Sequence, residues 1–132
     1  VHYTIPYMDV NLDTIPDQWR ISDTALLNAA AGNEGIEVKA TGRAYIYTQY
    51  HPKFKQGKTY RIEVQLKEPV DYIAYYISGI KGRTKLKQEK NTKNTFFAEF
   101  LVEKEPNGNG NQLRIYMESY CTIENILVKE IK

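Results

Sequence analysis

Apolar and polar residues alternate with a period of two over most of the chain from Phe54 to Lys132. The alternating segments are FKQGKTYRIEVQL, NTFFAEFLVE, NQLRIYMESY and TIENILVKEI. Successive side chains of a β-strand point to opposite faces, so this pattern is typical of strands with one face on a core and the other in water. Turn residues separate these segments about every ten residues. We therefore predict an all-β fold, an antiparallel β-sandwich of about eight to ten strands.

The first fifty residues are less regular. The segment ALLNAAA at residues 25–31 favours at most one short helix of one or two turns, with Ser22 or Asp23 as its N-cap. The segments GIEVKA and RAYIYTQY alternate strongly on either side of Thr41 and Gly42. Two alternating runs separated by such turn residues predict a β-hairpin.

The composition restricts the kinds of protein that this chain can be. Its 132 residues have the size of one ordinary domain, so we predict a single β-sandwich domain over residues 1–132, carried by a longer polypeptide. The formal net charge of +2 is too small to indicate a nucleic-acid partner. No apolar run approaches the roughly 20 residues of a membrane helix, so we predict no membrane insertion. The start at Val1, with no methionine and no apolar signal segment, predicts a processed or excised piece.

Four features of the sequence occur in the order found in a known group of modules. They are Trp19, the strand opening Gly35-Ile36-Glu37-Val38, the phrase FKQGKTYRIEV at 54–64 and the phrase IENILVKEI at 123–131. In this order the chain resembles the jelly-roll β-sandwich carbohydrate-binding modules attached to xylanases and cellulases, within the larger galactose-binding-like group. The G-K-T-Y phrase reflects a turn glycine before a core strand, so the resemblance implies a fold more directly than a ligand.

The resemblance implies a non-catalytic module that binds a polysaccharide or a cell-surface glycan. The same sandwich also serves in adhesins and in phage and virion surface proteins. The alternative is therefore a structural assembly module, such as a virion decoration, tail or fibre domain or an adhesin repeat, with copies of itself or other surface proteins as partners. In either case the resemblance and the missing methionine predict a location outside a cell or on the surface of a particle.

Alternation also sorts side chains between the core and the solvent. The residues assigned to the core are Tyr60, Ile62, Val64, Leu66, Phe96, Ala98, Phe100, Val102, Leu113, Ile115 and Met117. In RAYIYTQY the choice stays open, because Ala44, Ile46 and Thr48 make a weaker core face than Tyr45 and Tyr47 would.

If Tyr45 and Tyr47 face outward, they join other outward tyrosine and planar polar residues on one sheet surface. The candidate glycan-binding residues are Tyr45, Tyr47, Arg61, Glu63, Gln65, Tyr72, Tyr76, Glu99, Arg114 and Tyr116. Sugars present flat C–H faces that pack on aromatic rings, and hydroxyl groups that pair with planar polar side chains. Tyrosine is also a favoured strand residue, and tyrosine and arginine are enriched at protein interfaces, so plain surface or an assembly interface is the alternative.

Many of the modules that the chain resembles bind a structural calcium ion near the N-terminus. Asp9, Asn11 and Asp13 alternate there and carry the oxygen ligands that calcium prefers, so they are the candidate metal ligands; otherwise they are ordinary loop residues. The resemblance also implies that Trp19 packs under the sheet, with a ligand platform as the alternative. We predict no other cofactor.

The one concentrated charge lies between Lys81 and Lys93, where six basic residues face a single glutamate, Glu89. Such a stretch could attract a polyanion. It also suits a solvated hairpin whose lysines protect an edge strand from aggregation, and we favour that interpretation.

Catalytic motifs are not evident in the sequence. His2 and His51 have no plausible nucleophile to activate, and the only cysteine, Cys121, is typical of a small buried strand residue. Glu63 and Glu99 could meet across strands, but a small sandwich rarely offers the deep cleft of a glycoside hydrolase. We predict that the protein is not an enzyme.

Overall fold

A computed structural model of the chain describes residues 2–4, 20–22, 26–32, 35–48, 54–92, 94–104 and 112–131. Within these ranges it contains twelve strands and no helix. They are β1 (His2–Thr4), β2 (Arg20–Ile21), β3 (Leu27–Gly32), β4 (Gly35–Ala40), β5 (Ala44–Thr48), β6 (Thr59–Leu66), β7 (Ile73–Ile77), β8 (Lys81–Lys85), β9 (Lys87–Gln88), β10 (Thr95–Leu101), β11 (Leu113–Met117) and β12 (Cys121–Ile131).

The strands form two antiparallel sheets. Sheet 1 has the order β3-β4-β12-β6-β10-β9, and β1 also pairs with β12. Sheet 2 has the order β2-β5-β11-β7-β8. Strands β1, β2 and β9 are only two or three residues long, which leaves nine longer strands in the described ranges. The predicted β-sandwich is confirmed. Nothing in these ranges is a helix long and apolar enough to cross a membrane.

The core lies between the two sheets, and the predicted core residues line it. All are buried except Ala98, which is half-buried against the core. Tyr75 of sheet 2 and Phe100 of sheet 1 join the two sheets through a ring contact with centroids 5.7 Å apart. Burial raises the pKa of Tyr75 to about 12, so its hydroxyl stays neutral at physiological pH.

A glycine turn explains the G-K-T-Y phrase. Lys58 N–H donates to the carbonyl of Lys55 at 3.3 Å, which closes a four-residue turn before β6. Gly57, the third residue of this turn, has φ of 83°, the value that a type II turn requires there. The turn is fixed to the end of β10, because Gly57 N–H donates to the carbonyl of Val102 at 2.8 Å. Gly57 therefore sets the entry of β6 into the core.

The short helix that residues 25–31 favoured does not form in residues 26–32, which the structure describes. Residues Leu27–Gly32 form β3 and pair with β4 in a continuous register from Leu27 opposite Ala40 to Gly32 opposite Gly35. Leu27 and Ala29 are buried on the core side. An alanine-rich segment this short is a marginal helix in water, so pairing with a neighbouring strand outweighs its helix propensity.

The hairpin predicted around Thr41 and Gly42 is wrong, and the basic stretch contains a second crossing between the sheets. β4 and β5 are both strands, but β4 belongs to sheet 1 and β5 to sheet 2, so the bend at Thr41–Arg43 crosses between the sheets. The basic stretch behaves in the same way, because β8 is the edge of sheet 2 and β9 is the edge of sheet 1. Leu86 is buried between them and its N–H donates to the carbonyl of Ile73 at 2.9 Å. Lys81, Lys85 and Lys87 lie on edge strands, as predicted.

Candidate functional site

The predicted glycan-binding residues do not share one surface. Those on β5, β7 and β11 lie on the outer face of sheet 2, and Tyr72 directly precedes β7. Arg61, Glu63, Gln65 and Glu99 lie on β6 and β10, on the outer face of sheet 1. The prediction of a single surface is therefore wrong. Alternation shows which side chains face outward, but it does not show to which sheet a strand belongs.

The outer face of sheet 2 carries a compact set of tyrosines around one arginine. Tyr45 and Tyr47 alternate with the buried residues of β5, which settles the open orientation of that strand in favour of outward tyrosines. We call Tyr45, Tyr47, Tyr76, Arg114 and Tyr116 the tyrosine face. All five are half-buried, and they lie on β5, β11 and β7, which are neighbours in the sheet.

Strand register brings the members of the tyrosine face together. Arg114 lies opposite Tyr47 on one side and Tyr76 on the other, and Tyr116 lies opposite Tyr45. The rings of Tyr45 and Tyr116 have centroids 4.7 Å apart, and those of Tyr45 and Tyr47 are 5.7 Å apart. Both pairs are tilted, which is a favourable arrangement for aromatic rings. The tyrosines are thus held in place by strand pairing and by contacts with one another.

Arg114 occupies the centre of the tyrosine face. Its guanidinium carbon lies 4.5 Å from the ring centroid of Tyr45 and 4.5 Å from that of Tyr76. Its Nε donates to Gln112 at 3.0 Å, and its Nη1 donates to the hydroxyl of Tyr116 at 3.3 Å. These contacts fix the plane of the guanidinium, so Arg114 presents a pre-oriented cation on the surface.

Further basic side chains surround the tyrosine face. Arg43 lies 4.4 Å from the ring centroid of Tyr72 and pairs with Glu118 at 3.4 Å. Arg83 on β8 lies 5.5 Å from the ring centroid of Tyr116. Two more residues share this outer face through strand pairing, namely Arg20 opposite Tyr47 and Lys85 opposite Ala74. Glu118 is the one carboxylate among these described residues.

The outer face of sheet 1 has a different character. Arg61 donates to Glu63 at 2.7 Å, to Glu99 at 3.2 Å and also to Glu89, and its guanidinium carbon lies 4.2 Å from the ring centroid of Phe97. Burial alone would lower the pKa of Arg61, but the hydrogen bonds with the three carboxylates outweigh it and raise that pKa. We call these four charged residues the Arg61 cluster. The charge of Arg61 is already paired within the protein.

A groove of about 320 Å³ lies beside the start of β12. Its lining includes Lys67, Glu68, Tyr120 and Cys121, and Tyr120 is 65% exposed. Burial raises the pKa of Cys121 to about 12, and its thiol contacts the sulfur of Met117 at 3.5 Å. The thiol is therefore protonated and poorly nucleophilic at neutral pH.

Sequence reasoning missed several members of these surfaces. Arg43, in the bend before β5, is two residues from the outward Tyr45, and Arg83 is two residues from the outward Lys85. Alternation could therefore have predicted that both arginines face outward. Glu89 follows β9 and reaches Arg61 only because β9 joins sheet 1. No local pattern indicates that contact.

The calcium prediction falls outside the described residues, because Asp9, Asn11 and Asp13 all belong to segments that the structure does not describe. The same holds for Trp19 and His51. Among the described residues no three His, Cys, Asp or Glu side chains are grouped so as to hold a metal ion. Calcium stays a prediction.

No model of a known protein family matches the sequence, and no similar curated protein is found. Function has to be argued from the geometry of the two sheets.

Proposed function

We propose that the protein is a non-catalytic glycan-binding module and that its tyrosine face is the binding surface. The observation that carries this proposal is the pre-arranged set of half-buried tyrosines around Arg114 on three neighbouring strands. A location outside a cell or on the surface of a particle belongs to the same proposal, since polysaccharides and cell-surface glycans are found there.

The chemistry of the tyrosine face suits a sugar chain. Tyrosine rings offer apolar surface to sugar C–H groups, and their hydroxyls can donate to or accept from sugar hydroxyls. Because strand pairing and ring contacts already hold these side chains, little side-chain entropy is lost on binding. The tyrosine face is spread over a sheet, so we expect it to bind several units of a polysaccharide chain rather than an enclosed small molecule.

Screening on a glycan array, followed by calorimetric titration of the best ligand, tests the proposal. Tyr47→Ala and Tyr116→Ala should each weaken binding about tenfold, because each removes a stacking surface. Phe97→Ala is the matched control, since Phe97 is a half-buried aromatic residue on the outer face of the opposite sheet. Its affinity should equal that of the wild type. A blank array, or equal losses in all three variants, would contradict the proposal.

The second candidate is a structural assembly module, and one observation favours it. The Arg61 cluster, with three carboxylates around one guanidinium, lies on the opposite side of the sandwich from Arg114 and the basic residues around the tyrosine face. Copies could therefore stack with unlike faces in contact, which gives open chains of molecules. Light scattering separates the two functions, because a concentration-dependent increase in mass together with a blank array would support assembly.

A further inference from the structure

We infer that the ligand of the tyrosine face is an anionic polysaccharide, one that carries carboxylate or sulfate groups. This inference rests on the proposed glycan-binding function and names the class of glycan. Its starting point is the contrast between the central arginines of the two outer faces, Arg61 and Arg114.

Arg61 has its counter-charges within the protein, whereas Arg114 has none among the described residues. Three carboxylates surround Arg61. Arg114 is also half-buried, but its two hydrogen bonds to described residues go to a neutral amide and a neutral hydroxyl, those of Gln112 and Tyr116. A guanidinium that is partly removed from water gains most from an anionic partner, and its planar fork matches a carboxylate or a sulfate. A ligand anion would supply the counter-charge that Arg114 lacks among the described residues.

The basic residues around Arg114 extend the preference for an anionic ligand across the outer face of sheet 2. Arg20 on β2 and Arg83 on β8 lie on the two edge strands, and Lys85 lies beside Arg83. Neighbouring strands are about 4.8 Å apart, so the four spacings between β2 and β8 span roughly 19 Å. Five basic side chains and one carboxylate occupy this described surface, in a chain whose formal net charge is +2. Positive charge is therefore concentrated on and around the tyrosine face, where a chain with repeated anionic groups can meet several cations.

A sugar polyanion fits this surface better than a nucleic acid does. Nucleic-acid-binding domains are usually strongly basic, whereas this chain has a small net charge and carries the carboxylates of the Arg61 cluster on its other side. Aromatic rings among a few well-spaced cations suit a polymer that alternates flat apolar faces with single charged groups.

Polygalacturonate and its carboxyl-reduced form are matched probes, because they differ in the carboxylate alone. We expect the wild type to bind polygalacturonate at least about tenfold more tightly than the reduced polymer. The ratio should fall in 1 M NaCl, where the Debye length shrinks to about 3 Å. Dextran sulfate distinguishes sulfate from carboxylate as the preferred group, and a single-stranded oligonucleotide tests for a nucleic-acid ligand.

Charge variants test whether the tyrosine face causes the preference for the acidic polymer. Arg114→Gln should bring the ratio of the two affinities close to one, and the double variant Arg83→Gln/Lys85→Gln should lower it about threefold. Lys87→Gln is the matched control, because Lys87 is two residues from Lys85 but lies opposite Phe97 on sheet 1. It should keep the wild-type ratio.

The outcomes separate this inference from the proposed function. Equal binding of the acidic and reduced polymers, lost in Tyr47→Ala, would overturn the inference and leave the glycan-binding function in place. Tighter binding of the oligonucleotide than of either acidic polymer, or an equal effect of Lys87→Gln and Arg83→Gln/Lys85→Gln, would also overturn it. If neither these polymers nor any array glycan binds, the proposed function itself fails.

Discussion

The two central arginines show how one residue type acquires two roles. Arg61 and Arg114 are both outward residues on inner strands of their sheets. Arg61 meets carboxylates on its own strand, on β10 and just after β9, whereas Arg114 meets tyrosine rings on β5 and β7. The first arrangement joins parts of the protein to one another, and the second leaves a positive charge with no carboxylate beside it among the described residues.

Because of this difference, we expect Arg61 to contribute more to stability and Arg114 to contribute more to ligand binding. Arg61→Gln should lower the free energy of unfolding by about 2 kcal/mol, because it leaves three neighbouring carboxylates without their cation at a partly exposed site. Arg114→Gln should lower it by about 0.5 kcal/mol, the scale of a partly exposed cation–π contact. Urea denaturation followed by fluorescence measures both. An equal or larger loss for Arg114→Gln would show that Arg114 serves mainly to hold the sheet together.

At the scale of the strand, Gly35 and Gly57 both have positive φ, but the structure requires glycine at each position for a different reason. Gly35 begins β4 with φ of 145°, and a Cβ there would overlap the backbone carbonyl of Ile123 on β12. Gly57 also has positive φ, but a Cβ there would meet nothing within 4 Å. Close approach of two strands requires the first glycine, and turn geometry alone requires the second.

Alanine substitutions should separate these two causes. Gly57→Ala should destabilise the fold by about 1 kcal/mol, the cost of a left-handed conformation for a residue with a Cβ. Gly35→Ala should cost about 3 kcal/mol, because the clash with Ile123 adds to that strain and backbone has to move. Thermal melts of the two variants measure the difference. If Gly35→Ala is no worse than Gly57→Ala, β4 and β12 do not pack as closely as the structure shows.

Alternation predicted the strands well but predicted their partners poorly. The segments TYRIEVQL and QLRIYMES give their inward and outward residues correctly, because side-chain parity is a local property. The chain changes sheets in the bend after β4 and again at Leu86 after β8, and no local pattern marks either crossing. The ALLNAAA segment became a strand because β4 was available to pair with it.

At the scale of the whole molecule, the sheet to which each strand belongs determines which residues share a surface. The sequence predicted Tyr76, Arg114 and Tyr116 as outward residues and left the orientation of Tyr45 and Tyr47 open; in the structure all five form one surface. The sequence prediction also placed the outward residues of β6 and β10 on this surface. That error arose because pairing between distant segments is set by the tertiary fold, which a local pattern does not show. The separation leaves a basic aromatic face on one side of the sandwich and an internally paired ionic cluster on the other.

The central claim is that the tyrosine face binds the ligand, and amide chemical-shift mapping by NMR tests it most directly. Titration of the labelled protein with polygalacturonate, or with the best array glycan, should shift the amides of β5, β7 and β11 in a saturable way. The amides of β6 and β10, on the other side of the core, should move far less. Shifts concentrated on β6 and β10, or around the groove at Tyr120, would contradict the claim.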